Sequence, residues 1–325
     1  MSYHREITDL IASQSPLLIT KEAYLQAIFH IINTSSVSKL AKPDPSSFFF
    51  DDDIPTYEEQ NKKALDKIRA AIKMSSASGV NLTTEYRSNE IPSLSVAYHR
   101  VFGTILSDAV YSFSSKDFTR NLVAADSNDL ISCHFVHINS GGGEAWYLDQ
   151  VSLAMASCVK PIYVFIEKYC CSAAYYIGCH GQKMVCLTQN DTIGCIGTMI
   201  SFWNLDPYLQ NLGIQIIEEY AHQSDLKNKK YTDLKEGKPD QFITEELDPL
   251  AAQFITAVRT NRSALSSLQD DSPILRGETY DGSAAVANGL VDGILTIEQS
   301  VAEAYAMGKE YADRITTRKR IAQML

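Results

Sequence analysis

The sequence predicts a layered α/β domain over residues 91–325. Short strand-like runs alternate there with helix-like runs, and this alternation is typical of parallel strands joined by crossover helices. The run at residues 130–138 is largely apolar, as expected of a strand that is buried on both faces. A run of glycines follows at residues 141–143, where the chain can turn sharply away from the sheet.

The predicted elements follow one another along the chain. Strands are predicted over residues 94–106, 130–138, 161–166, 183–187, 198–202 and 213–220. Helices are predicted over residues 115–125, 144–159, 172–180 and 206–212, and over most of residues 242–265 and 282–312. Ser115 is the predicted N-cap of the first of these helices, because a serine hydroxyl can accept a hydrogen bond from a free N–H group of the first turn.

Residues 1–90 are predicted to be a helical N-terminal extension and linker. Apolar residues are spaced as in a helix over residues 3–32, residues 33–56 are rich in Ser, Pro and Asp, and residues 57–74 have the pattern of a charged helix. This segment carries no recognisable catalytic motif. We therefore expect it to be a packing or assembly arm.

The composition excludes several classes of function. The chain has 325 residues, of which 45% are hydrophobic and 21% are charged, and its formal net charge is −10. Nucleic acid is not an expected partner, because binding a polyanion requires a basic surface. No stretch reaches the roughly 18 to 20 apolar residues of a membrane span, and the N-terminus lacks the pattern of an export signal. We expect a cytoplasmic protein without a membrane anchor.

The cysteines predict reduced, buried thiols rather than disulfides or a metal site. All seven lie between residues 133 and 195, within apolar segments. Cys133, His134 and His137 are a candidate group of metal ligands, but neighbours on a strand alternate between its two faces. The sequence also has no C-x-x-C pair. We therefore predict no metal and no organic cofactor.

Two turns carry the candidate chemistry. The first is the glycine run at residues 141–143, where exposed backbone N–H groups could stabilise a developing negative charge. The second lies at Ser172, where a strand passes into a helix of small residues. A serine at a helix start is usually a cap, but it can also be a nucleophile, because it lies at the positive end of the helix dipole.

The ordered set of motifs resembles the signal peptide peptidase A family of serine proteases. The chain has Asn-Ser-Gly-Gly-Gly at 139–143, Cys-Cys-Ser-Ala-Ala-Tyr at 170–175 and Thr-Ile-Gly-Cys-Ile-Gly-Thr at 192–198. The family typically has Asp-Ser-Pro-Gly-Gly, Ala-Ser-Ala-Ala-Tyr or a close variant, and Gly-Ser-Ile-Gly in the same order. The resemblance extends to Ser-Asp-Leu-Lys-Asn at 224–228 and covers roughly residues 92–300.

This resemblance implies a ClpP/crotonase-like fold that hydrolyses peptide bonds with a serine–lysine dyad. Ser172 matches the family nucleophile, and Lys227 matches the general base. Gly142 and Gly143 match the oxyanion loop, and the N–H group of Ala173 would be the second oxyanion donor. A lysine is a base near neutral pH only where burial lowers its pKa well below about 10.4, so the base is expected in a water-poor pocket.

The resemblance also implies partners. The chain is similar to the phage and prophage relatives that process capsid or scaffold proteins in the bacterial host cytoplasm during head assembly, and the family assembles as homo-oligomers. We therefore expect a protein or peptide substrate, with capsid or scaffold proteins as candidates. We also expect a homo-oligomer that associates with phage heads.

Other residues compete for the catalytic roles. Lys229 and Lys230 lie beside Lys227, which is favoured because Lys-Asn at 227–228 stands where the family has Lys-Asp. His137 is a rival base on the strand before the glycine run. His180 is excluded, because eight residues of helix place it about 12 Å along the axis from residue 172.

The chain departs from the family pattern at three positions, and this leaves other functions open. Asn139 replaces Asp, Gly141 replaces Pro, and Cys195 stands where the family often has a serine. An assembly protein with little or no activity is therefore an alternative. A crotonase-type acyl-thioester enzyme is a third, although it would need neither a serine at the helix start nor a downstream lysine. Cys171 beside the nucleophile leaves cysteine chemistry as a further alternative.

Overall fold

The computed structural model describes residues 17–19 and 55–324, apart from residues 202, 203, 205, 212, 214 and 216. Most of the predicted N-terminal extension thus lies outside the described residues. Within it, Leu17–Ile19 form strand β1, which corrects the helix predicted over residues 3–32 at this point.

Eight strands form the central sheet. They are β2 (Leu82–Thr83), β3 (Ser95–Phe102), β6 (Ile131–Ser140), β8 (Ile162–Cys171), β9 (Lys183–Cys186), β10 (Thr192–Gly194), β11 (Thr279–Asp281) and β12 (Gly293–Ile294). Their order is β11-β10-β8-β6-β3-β2, with β9 also paired to β8, and β12 to β9. Only β10 and β11 are antiparallel among these described pairs. The long strand β8 pairs with β9 along its first half and with β10 along its last three residues.

A second sheet of four short strands continues from the ends of the central ones. It consists of β1, β4 (Ile105–Leu106), β5 (Phe113–Ser114) and β7 (Gly142–Glu144), in the order β1-β7-β4-β5. The single strand predicted over residues 94–106 is divided into β3 and β4, because Gly103 turns the chain with a φ of 75°. The glycine run, predicted as a turn, becomes β7 because it pairs with Ile105 and with β1.

Nine helices lie in the described part of the chain. They are α1 (Tyr57–Ile72), α2 (Ser115–Ser127), α3 (Leu148–Ser157), α4 (Ala173–Gly178), α5 (Asp206–Asn211), α6 (Lys229–Lys235), α7 (Asp248–Asn261), α8 (Gly282–Ala287) and α9 (Ile297–Met324), with helical turns at Asp240–Phe242 and Ile243–Leu247 leading into α7. Short 3-10 turns occur at His222–Ser224, Ser263–Leu265 and Pro273–Arg276. No helix within these residues is both long and apolar enough to cross a membrane.

Helices cover both faces of the central sheet, and the buried side chains alternate along each strand. Val136 and Ile138 of β6 face one core, shared with α2, α3, α4 and α7. Cys133 and Phe135 of the same strand face a second core, shared with α1 and α9. Strands buried on both faces explain the largely apolar sequence of residues 130–138. The prediction of a layered α/β fold with a mostly parallel sheet is confirmed.

Helix α1 belongs to this layered unit. Leu65, Ile68 and Ile72 pack in the second core, against Val301 and Ala304 of α9. Strand β2 extends the central sheet at its edge. Residues 57–83 are therefore part of the packed body, while the domain boundary after residue 90 stays a prediction.

Several predicted element bounds are wrong, and tertiary pairing explains most of the differences. No strand forms over the described residues of 198–202 or 213–220. The strand in this region is β10, which is held between β8 and β11. Strand β8 extends past its predicted end at residue 166 because its last three residues pair with β10. The N-cap of α2 is Ser114, whose hydroxyl accepts the Asp117 N–H.

Candidate active site

Ser172 lies at the turn between β8 and α4 in a backbone conformation that few serines adopt. Its φ is 56° and its ψ is −122°, and such a conformation costs on the order of 1–3 kcal/mol for a residue with a Cβ atom. The Ser172 N–H donates to the Gly194 carbonyl (2.9 Å), where the β8–β10 ladder ends. The Ser172 carbonyl accepts from the Tyr176 N–H (2.9 Å), where α4 begins. Strand and helix thus meet at one residue, as in a nucleophile elbow.

The Ser172 hydroxyl is buried but makes no hydrogen bond to any described residue. The residue is 1% exposed, and its Oγ has no partner within that part of the chain. It occupies the N-cap position of α4 but makes no capping bond, so the ordinary role of a helix-start serine does not account for it. A buried hydroxyl without a partner costs about 1–3 kcal/mol, and a group of this kind calls for an explanation.

The glycine strand β7 lies beside this turn. Ser140 of β6 is paired with Cys170 of β8, so the chain that follows Ser140 runs beside the chain that follows Cys170. Helix α4 contacts β7. The structure therefore brings Gly142 and Gly143 to the same edge of the sheet as Ser172. At this edge the N–H group at the first residue of α4 has no acceptor within its own helix.

Hydrogen bonds and close packing hold the glycine strand in place. The Ser140 hydroxyl donates to the Gly103 carbonyl (2.6 Å) and accepts from the Gly142 N–H (3.1 Å). Gly142 has a φ of 109°, which favours glycine. A Cβ atom at Gly143 would overlap the Ile105 carbonyl oxygen. The Gly142 N–H can therefore reach another oxygen only by exchanging its bond with Ser140.

Lys227 lies in the turn between the 3-10 helix His222–Ser224 and α6, and its side chain is exposed. Its backbone N–H donates to the Ser224 carbonyl (3.0 Å). No hydrogen bond or ion pair connects its amine to another residue of the described chain. Within the described residues, no hydrogen bond joins Lys227 to the Ser172 hydroxyl.

The two neighbouring lysines are held in ion pairs. Lys229 pairs with Asp233, one turn later on α6. Lys230 pairs with Glu246 and, at 3.4 Å, with Glu245. The hydrogen bond with Glu246 raises the pKa of Lys230. Lys230 is thus stabilised as an ammonium ion, which is unfavourable for a general base, and the Lys229 amine is engaged by a carboxylate.

His137 is buried, and both of its ring nitrogens have partners. Nδ1 lies 3.1 Å from the Tyr98 hydroxyl, and Nε2 lies 3.1 Å from the Glu167 carboxylate. Burial lowers the pKa of His137 despite the opposing effect of Glu167, while the hydrogen bond from His137 lowers the pKa of Glu167. A neutral imidazole ring satisfies both nitrogens, because Nδ1 accepts a hydrogen bond from the Tyr98 hydroxyl and Nε2 donates one to the Glu167 carboxylate. His137 therefore makes no contact with the Ser172 hydroxyl.

The other histidines near the predicted site also have local roles. His180 is buried, with Nε2 at 2.8 Å from the Ser152 hydroxyl and Nδ1 at 2.9 Å from the Tyr176 carbonyl. His222 is exposed in its 3-10 helix. Neither makes a hydrogen bond with the Ser172 hydroxyl.

The predicted metal-ligand candidates are not brought together. Alternation along β6 places His134 on the opposite face from Cys133 and His137. His134 contacts Asp126 (3.2 Å), whereas His137 contacts Glu167.

A different cluster has the residue types of a metal site. Possible ligand atoms of Asp126, His134 and Cys158 lie within 4.8 Å of one another. The Asp126 carboxylate already accepts the N–H groups of Val159 (3.2 Å) and Lys160 (3.1 Å). We interpret the cluster as a set of hydrogen bonds that connects α2 to the chain that enters β8.

Two residues were not predicted from the sequence: Ser140 as a part of this site, and Glu167 as the partner of His137. Ser140 holds the glycine strand, and its position two residues before Gly142 was the available signal. Glu167 orients His137 from the neighbouring strand. No signal in the sequence could reveal that contact, because it depends on the register between β6 and β8.

The layered fold, with a serine at a strand-to-helix turn beside a glycine strand, is consistent with the ClpP/crotonase-like class of α/β proteins. The sequence profile described as Peptidase family S49 matches residues 154–311. Over 190 residues the chain is 27% identical to a protein of Enterococcus faecium that carries the name signal peptide peptidase SppA, and the match covers 56% of this chain and 53% of that protein. The chain thus spans about half the length of that relative.

These two matches show that about half of the chain is similar in sequence to the signal peptide peptidase A (S49) family. Among solved structures, ThnE from S. clavuligerus is similar, with 10% sequence identity and a TM-score of 0.37. That match covers 68% of this chain and 81% of the other.

The buried state of His137 predicts a pH dependence of stability. Because burial lowers its pKa in the folded chain, the unfolded chain binds the proton more readily, and stability falls as the pH drops below about 6.5. We expect His137→Gln to remove the part of this pH dependence that His137 causes. That part is about 1.4 kcal/mol of unfolding free energy for each pH unit between the folded and unfolded pKa values. Urea denaturation between pH 5 and 8 measures it. The exposed His222→Gln is the control, and an unchanged slope in His137→Gln would contradict the neutral assignment.

Proposed function

We propose that the chain is a serine peptidase with Ser172 as its nucleophile. The observation that carries the proposal is the Ser172 hydroxyl, which is 1% exposed and has no hydrogen-bond partner among the described residues. It sits on a residue with a positive φ, at the start of a helix and beside a strand of glycines. Strained residues with unsatisfied polar atoms concentrate at active sites. The S49 profile match and the Enterococcus faecium relative support the same conclusion.

The proposed reaction is acyl transfer to serine followed by hydrolysis. Ser172 Oγ attacks the carbonyl carbon of a peptide bond while a general base accepts its proton. The oxyanion that forms is stabilised by the N–H of Ala173 and by the N–H groups of Gly142 and Gly143, once Gly142 exchanges its bond with Ser140. The C–N bond breaks as the departing amine takes the proton. Water then hydrolyses the acyl-enzyme and restores the serine.

We propose Lys227 as the general base, acting with Ser172 as a dyad. Lys229 and Lys230 are engaged by carboxylates, whereas Lys227 has no such partner within the described residues. Its side chain is exposed in the single chain, so the amine must be desolvated before it can accept a proton near neutral pH. A bound substrate or a second copy of the chain, covering the segment between the 3-10 helix and α6, would exclude that water. This requirement favours a homo-oligomer.

The proposed substrates are proteins or peptides. The resemblance to phage and prophage relatives makes capsid or scaffold proteins the specific candidates. The formal net charge of −10 favours a protein partner over nucleic acid.

An assembly protein with little or no activity is the second candidate. Two observations favour it: within the described residues no hydrogen bond joins Lys227 to the Ser172 hydroxyl, and the Gly142 N–H is occupied by Ser140. Cys195, which stands where the signal peptide peptidase A family often has a serine, also favours the assembly protein. Active-site labelling separates the two candidates.

A serine-reactive phosphonate should label the chain once, on the peptide that contains Ser172. We expect the adduct to disappear in Ser172→Ala, because no other serine or threonine of the described residues lies at a positive-φ turn beside the glycine strand. Intact-mass spectrometry followed by peptide mapping measures the adduct. Ser157→Ala is the matched control, since Ser157 is an exposed helix serine that donates to Leu153. A chain that stays unlabelled while correctly folded would favour the assembly protein.

The rate of labelling should depend on Lys227. We expect Lys227→Met to slow it by roughly 10²–10⁴-fold, the usual contribution of a general base, while Lys229→Met remains within a few-fold of the unmodified chain. The rate should rise toward alkaline pH, as the lysine loses its proton. A rise below pH ~6.5, where burial places the pKa of His137, that vanishes in His137→Gln would transfer the role of base to the histidine.

A further inference from the structure

Strand β1 pairs with the glycine strand of the proposed active site. Leu17–Ile19 run antiparallel to Gly142–Glu144, with Leu17 opposite Glu144, Leu18 opposite Gly143 and Ile19 opposite Gly142. The chain's own N-terminal segment thus forms main-chain pairing with the strand that we propose to hold the oxyanion.

The direction of β1 is that of a peptide presented to the nucleophile. Ser140 is in register with Cys170, so the Gly142 end of β7 is the end nearest Ser172. Ile19, the last residue of β1, is opposite Gly142. A peptide running in this direction brings the carbonyl at the end of the strand toward the serine.

The other edge of β7 cannot receive a peptide. Ile105 of β4 pairs there with Gly143 and approaches so closely that a Cβ atom on the glycine would overlap its carbonyl oxygen. In the described sheet, β7 therefore has one edge for strand addition, and β1 occupies it. An extended peptide that binds by strand addition needs the same backbone groups.

We propose that Leu17–Ile19 is an intramolecular substrate mimic that holds the site closed until it is displaced. This inference rests on the proposed function, because it takes the free edge of β7 as the place where a substrate peptide binds. Because β1 belongs to the same chain, it competes with a substrate as an intramolecular ligand, at an effective concentration that does not fall on dilution. A substrate must therefore displace β1 before it reaches Ser172.

The first test measures occupancy without requiring catalysis. In the full chain carrying Ser172→Ala, Leu18→Pro and Ile19→Pro are introduced separately. Adjacent residues of a strand direct their N–H groups to opposite sides, so one of the two substitutions removes a donor from the pairing. Hydrogen–deuterium exchange of the amides of Gly142–Glu144 is measured, with Ser38→Pro as the matched control in the Ser- and Pro-rich stretch. Far-ultraviolet circular dichroism and the melting temperature verify that each variant remains folded.

We expect one of the strand variants to raise the exchange rate of this segment by about tenfold over the control, the change that follows when an occupied fraction of about nine-tenths is lost. Equal exchange rates in both strand variants and in the control would show that β1 does not occupy the edge of β7.

The second test measures the consequence for the serine. In the chain with Ser172 intact, the same strand variant should react with the phosphonate about tenfold faster, because reactivity follows the open fraction. If exchange rises while the labelling rate does not, β1 occupies the edge without inhibiting the site, and the proposed mimicry is wrong. If no variant is labelled at all, the proposed peptidase function fails, while the exchange result still decides the occupancy.

Discussion

The hydrogen bond from the Ser172 N–H to the Gly194 carbonyl is the constraint on which the site depends. It extends the β8–β10 ladder up to the last residue before α4. The helix begins at the next residue, so the change of direction is concentrated in Ser172, with its φ of 56°. The strain and the unsatisfied hydroxyl together cost on the order of 2–6 kcal/mol. The two cores on either side of the sheet supply the packing that maintains this conformation.

The glycine strand is suited to its place for two separate physical reasons. At Gly143 the requirement is steric, since the Ile105 backbone leaves no space for a side chain. At Gly142 it is conformational, because the φ of 109° is strained for other residues. The Ser140 hydroxyl connects this strand to the Gly103 turn. It also occupies the Gly142 amide, so the closed arrangement described here differs from one that binds an oxyanion through that amide.

Much of the fold was predictable from local pattern, whereas pairing between distant segments was not. The apolar residues 130–138 indicate a strand directly, because a continuous apolar run suits a strand buried on both faces, and the segment after Ser172 was likewise predicted as a helix from its local sequence. Strand β1 could not be predicted, since Leu17–Ile19 lie in a segment with helical spacing and become a strand only by pairing with β7. Strand β10 depends in the same way on neighbours at residues 169–171 and 279–281.

The predicted site residues show the same difference between local pattern and long-range contacts. Ser172, Gly142 and Gly143 lie on adjacent strand ends, and the structure brings them to one edge. Lys227 lies outside the central sheet, in the turn before α6, where no strand register relates it to the serine. The histidine alternative depended on side-chain partners that no sequence pattern reveals, and those partners, Tyr98 and Glu167, engage His137 instead.

A crystal structure of the phosphonate-treated chain tests the central claim most directly. The account predicts a covalent bond between phosphorus and Ser172 Oγ, with the phosphonyl oxygen at about 2.7–3.1 Å from the Ala173 amide nitrogen and a second donor from the glycine strand. An adduct whose phosphonyl oxygen points away from both amides, or an adduct on another residue, would contradict it.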